Sequence, residues 1–78
     1  MAYYATTNRK IIARRMKKVR RALLLTRAEM AKEFGVGALE IWRWENGKRV
    51  PRLRHQRTLY AIEIELANRK ISDSTQKV

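Results

Sequence analysis

The chemistry this 78-residue chain carries in quantity is that of guanidinium and ammonium groups. Nineteen Lys and Arg stand against seven Asp and Glu, a net charge of +12 at pH 7. Self-repulsion on that scale costs stability and is normally tolerated where a polyanion is the partner. The densest run is Arg9, Lys10, Arg14, Arg15, Lys17, Lys18, Arg20 and Arg21, with no carboxylate inside it. No Glu at i+4 relieves the repulsion, so an external anion explains this face better than water alone. Nucleic acid is the leading candidate.

Other chemistries lack their parts. With no cysteine, a disulfide framework and a thiolate zinc site are both excluded, and a single histidine cannot build a conventional metal cage. That histidine, His55, reads as a surface residue near the start of the last helix. The carboxylates are scattered singly and form no nucleophile, base and acid set, so neither an enzyme nor a cofactor or metal site is expected. Apolar runs such as Ala22 to Leu25 are far short of a membrane span, and the N-terminus lacks the apolar core of a signal peptide. A cytoplasmic location is expected. A basic amphipathic helix can also lie on an anionic membrane, but here the apolar stripe is narrow, lacks Trp and Phe, and is needed for a core.

The elements that must position these charges are helical. The length allows one domain that buries about 60% of its unfolded surface, and 45% apolar against 33% charged residues is a folded composition. Ile12, Met16, Val19 and Leu23 repeat with a 3.6-residue period, which predicts a first helix over 8–24 with Thr7 or Asn8 as N-cap. Thr26 and Glu29 form a capping box that starts the second helix at Arg27. Ala28, Met30, Ala31 and Phe34 supply its apolar side, and Gly35 stops it with a positive φ. After the turn Gly35-Val36-Gly37, Gly37 serves as N-cap of a third helix over 38–45, with Glu40 favourably placed in its first turn. Asn46 and Gly47 end that helix, and Pro51 keeps the following loop from becoming helix. A last helix runs from Leu53 or His55 to Lys70. Leu59, Ile62 and Leu66 mark its inner stripe, and Ala61, Ile64 and Ala67 widen the apolar surface enough to offer a dimer seam. The domain thus covers 8–71. Residues 1–7 are of uncertain order, with Tyr3 and Tyr4 able to pack under the domain, support a dimer contact or be disordered. Residues 72–78 read as a disordered tail.

The central stretch has a distinctive spacing. Counting from Arg27, a small residue follows at Ala31, a glycine at Gly35, and apolar residues at Ile41 and Trp44. Two helices crossing steeply after a short turn need a small side chain at the crossing, a left-handed turn residue, and apolar residues on one face of the second helix. With the capping box before it and WENGKRVP after it, LTRAEMAKEFGV...IWRWENGKRVP resembles the Cro and phage-repressor type (xenobiotic-response-element type) helix-turn-helix family of bacterial and phage regulators. The likeness extends over residues 12–66.

The resemblance implies an all-α, compact, four- to five-helix lambda-repressor-like domain, with the helix-turn-helix at 27–45 and the third helix in a DNA major groove. It aims Ala38, Leu39 and Arg43 at bases. Arg43 can bind guanine O6 and N7 bidentately, while Ala38 and Leu39 can meet thymine methyl groups; phosphate contact and plain solvated surface remain open for Arg43. The family often pairs an arginine of helix 1 with the glutamate ending helix 3, which here are Arg20 and Glu45. Arg27 departs from the usual Gln and is assigned to a phosphate at the helix N-terminus, and Gly37 departs from the usual Ser or Thr. Lys48, Arg49 and Arg52 are the further phosphate clamps. Trp44 belongs to the core. Trp42 lies nearer the outward face, against the sugar-phosphate wall, helix 4 or a partner.

The function expected from all this is a repressor-like, sequence-specific regulator, homodimeric on double-stranded DNA, bacterial or phage-encoded and nucleoid-associated. Two alternatives stand beside it: a protein-partner module such as an antitoxin-type regulator acting through helix 4, and largely non-specific nucleic-acid binding.

Overall fold

The computed structural model describes the backbone of residues 5–76 and the side chains of residues 5–69. Tyr3 and Tyr4 lie outside the described residues. Four helices follow one another: α1 (Arg9–Ala22), α2 (Arg27–Phe34), α3 (Ala38–Glu45) and α4 (Leu53–Gln76), with no strand among the described residues.

Each boundary has a local cause. The Asn8 side chain accepts from the Lys10 and Ile11 amides at the start of α1. Thr26 and Glu29 exchange side chain-to-backbone hydrogen bonds at the start of α2, at 2.8 and 3.1 Å. Gly35 ends α2 at φ 67°; a Cβ there would meet nothing within 4 Å, so the backbone angle alone calls for glycine. Gly37 opens α3 without a side-chain cap.

Helix α1 stops at Ala22, two residues before its expected end, because Leu24 takes the left-handed conformation at φ 57°. The Leu25 amide reaches the Arg20 carbonyl and the Leu24 amide the Arg21 carbonyl, the paired closure that usually employs glycine. Leu24 gains little from its side chain, which is 90% exposed. A left-handed L-residue costs about 1–2 kcal/mol, and glycine gives back part of that through a more flexible unfolded chain. Leu24→Gly is therefore expected to stabilise the domain by about 0.5–1 kcal/mol, read as an upward shift of the urea midpoint at unchanged slope.

Helix α4 begins at Leu53 and continues past Lys70 to Gln76. Neither Pro nor Gly follows Pro51, so no residue type in this polar stretch ends the helix. The core gathers Ile12, Met16 and Val19 from α1, Met30, Ala31 and Phe34 from α2, Ile41 and Trp44 from α3, and Leu59 from α4. Leu23, Leu25, Ile62 and Leu66 pack partly buried against it, whereas Ala28 is exposed.

His55 is buried, which corrects its assignment to the surface. With α4 starting at Leu53, His55 and Leu59 stand four apart on the inward face. The imidazole lies 5.2 Å from the Trp44 ring and 6.4 Å from Phe34, and those two rings meet edge to face at 5.7 Å. Burial lowers its pKa, the Arg54 charge adds to the shift, Glu40 opposes it and Arg52 adds a smaller part. A histidine lowered in the folded state contributes stability that is complete above its unfolded value of about 6.5 and is lost as pH falls through the lowered folded value. The melting temperature is expected to drop between pH 7.5 and 5.5, and His55→Phe should remove most of that slope.

Gln56 is buried beside it. Its amide accepts from the Thr6 N–H at 2.8 Å and donates to the Thr6 and Pro51 carbonyls at 2.9 Å each. The segment ahead of α1 is thereby fastened to the start of α4.

Candidate nucleic-acid interface

Glu45, the last residue of α3, is fully buried and accepts from two arginines. Arg20 of α1 grips it bidentately, Nε to Oε2 at 2.6 Å and Nη2 to Oε1 at 3.0 Å, and also donates to the Leu25 carbonyl at 3.2 Å. Arg27, the first residue of α2, donates from Nε to Oε1 at 3.0 Å. The hydrogen bonds to Glu45 raise the Arg20 pKa above its ordinary value. One carboxylate thus ties together α1, α2 and α3, and the angle between α2 and α3 is set both by apolar packing at Ala31, Ile41 and Trp44 and by this charged knot.

With Ile41, Trp44 and Glu45 turned inward, the opposite side of α3 faces solvent. Ala38, Leu39 and Trp42 are exposed, and Arg43 is half-buried. Spacings of three and four residues put all of them on one stripe. Trp42 stands between Ala38 and Leu39 around the helix axis, so it belongs to the same face as the three residues expected to read bases. The sequence signal for this was its position one turn after Ala38.

Cations rim the stripe. Lys48, Arg49, Arg52 and Arg54 are exposed in the loop after α3 and at the start of α4. The Lys48 amide closes on the Arg43 carbonyl at 2.9 Å, so the loop folds back against α3. A cleft of about 420 Å³ between α3 and the start of α4 is lined by Arg49, Arg52, Arg54 and His55, with Glu40 and Trp44 on the α3 side. Glu40 accepts from Arg43 Nη1 at 3.2 Å and from Arg49 Nη1 at 3.3 and 3.4 Å. Burial pushes the Glu40 carboxyl up, but these two arginines outweigh it and hold it below the usual carboxylate value.

The basic face of α1 is relieved at two points that its own sequence does not reveal. Arg20 meets Glu45, and Arg15 forms a bidentate pair with Glu63 of α4 at 2.7 and 2.9 Å. Arg9, Lys10, Arg14, Lys17, Lys18 and Arg21 have no carboxylate partner among the described residues.

No protein-family model, no curated protein and no solved structure matches this chain.

Among the described residues, no group of three or more His, Cys, Asp or Glu is placed to hold a metal ion. No described helix is long and apolar enough to cross a membrane. The exposed face of α3 presents two apolar side chains, an indole and one guanidinium, framed by cations.

Proposed function

We propose that this chain is a sequence-specific double-stranded DNA-binding regulator of repressor-like, lambda-repressor-like helix-turn-helix type. The observation that carries it is the division of α3 into a buried face of Ile41, Trp44 and Glu45 and an exposed stripe of Ala38, Leu39, Trp42 and Arg43, rimmed by Lys48, Arg49 and Arg52. An α-helix fits the major groove, where guanine offers two acceptors to Arg43 and thymine a methyl group to Ala38 or Leu39. Arg27, Lys48 and Arg52 take the phosphates, which fix register without reading sequence, while Arg49 lies against the Glu40 carboxylate. Arg27 uses its Nε on Glu45, which leaves its remaining N–H donors for a backbone oxygen. No catalytic step is assigned.

A homodimer follows from the small number of readers on each chain, with two half-sites about 34 Å apart on a two-fold symmetric operator. Such a regulator would work in the cytoplasm on the nucleoid. Selection from a random duplex library tests this directly. A palindromic motif is the expected result, and enrichment without any motif would instead indicate non-specific nucleic-acid binding.

A second reading has its own observation, the exposed Ile64 of α4 beside exposed Ala61 and Ala67. This strip suits an apolar protein partner, as in an antitoxin-type regulator. Loss of a co-purifying protein in Ile64→Asp with DNA binding intact would favour it.

A further inference from the structure

Glu40, at the third position of α3, sits at the edge of the proposed reading face, in contact with Arg43. Its carboxylate bridges two arginines: Arg43, given to a base pair, and Arg49, which the sequence alone assigned to a phosphate. It also borders the cleft lined by Arg52, Arg54 and His55. A carboxylate in such a position opposes the approach of any polyanion, so its presence at the rim weakens the cationic surface it belongs to.

We propose that Glu40 determines the specificity of this interface by acting as an internal anion that positions Arg43 for a base and withholds Arg49 from indiscriminate phosphate contact. The proposal rests on the DNA-binding reading above. Phosphates are present at every step of every duplex, so each freed cation strengthens binding to all sequences alike. Glu40 engages only Nη1 of Arg43, and a guanidinium has five N–H donors, so a forked pair remains for guanine O6 and N7. Held this way, Arg43 is less free to swing to a phosphate when the base is wrong. Repulsion between Glu40 and the backbone then falls on every sequence, while the gain from an oriented Arg43 falls only on the right one.

The test compares the wild-type chain with Glu40→Gln, which keeps the shape and removes the charge. Motifs are selected from random duplexes, and affinities for the preferred and a scrambled duplex are measured across a salt series. In Glu40→Gln the scrambled duplex should bind about three- to tenfold more tightly while the preferred one gains less. The salt slope should steepen by about 0.9 as Arg49 takes up one phosphate. Adding Arg49→Ala to Glu40→Gln should return the slope to its wild-type value. A purely structural role for Glu40 would move the melting temperature and leave slope and discrimination unchanged, which overturns the proposal. If the wild-type chain itself selects no motif, the DNA-reading assignment falls and this proposal with it. A wild-type motif combined with an unaltered ratio and slope in Glu40→Gln removes the role of Glu40 alone.

Discussion

Glu45→Gln is expected to lower the unfolding free energy by about 3 kcal/mol, the low end of the range for breaking a buried ion pair. Glu45 has no solvent access and accepts three guanidinium N–H bonds. Glutamine keeps one acceptor and turns an NH₂ group toward the same donors, leaving two cations without their counter-charge. The estimate stays at the low end because the Arg20 and Arg27 side chains retain 19% and 41% exposure and can recover water. A domain of this length holds about 4–12 kcal/mol in total, so the variant should show a large drop in its chemical-denaturation midpoint. A loss under about 1 kcal/mol would mean that the pair behaves as a solvent-screened surface bridge. Since Glu45 joins α1, α2 and α3, the loss should appear in one cooperative transition and not as fraying of α3 alone.

Arg43→Ala is the second large effect, on binding instead of folding. A bidentate guanidinium-guanine contact is worth about 1–3 kcal/mol of discrimination, so affinity for the selected site should fall by that amount and preference at one base pair should relax. Folding stability should hardly change, because Arg43 is only half-buried and its ion-pair partner Glu40 keeps Arg49. Lys48→Ala supplies the contrast. It should weaken all duplexes alike and flatten the salt slope by about 0.9, the signature of one lost phosphate contact. If Arg43→Ala left the selected motif intact, α3 would not be reading bases through this residue, and Arg43 would join the phosphate clamps.

Much of the local architecture was legible in the residues themselves. Thr26 with Glu29, Gly35, Gly37 and Asn46 with Gly47 mark helix ends through interactions that span a few positions, and the structure has α2 and α3 running between those marks. The apolar period of α1 likewise identified Ile12, Met16 and Val19 as inward. The end of α1 was less legible, since Leu24 occupies a left-handed position for which leucine has no preference and which Gly would announce. The polar stretch after Lys70 carries no apolar period, so only the backbone reveals that α4 continues.

The strong positive charge, the absence of thiol chemistry, the helical periods and the capping residues are all legible in the chain, because each of these depends on composition or on neighbours within a turn or two. The same spacing marks which residues of α3 share an outward stripe once Ile41 and Trp44 turn inward. The partners of the charges become visible only in the folded chain. Arg27 joins Arg20 on Glu45, Arg15 meets Glu63, Arg49 shares Glu40 with Arg43, and Gln56 holds Thr6 across fifty positions of chain. The burial of His55 against Trp44 and Phe34 is likewise visible only there. These pairings depend on which side chains the packing of α1 and α2 on α3, and of α4 on α1, brings within hydrogen-bond reach, and distance in space is not written in spacing along the chain.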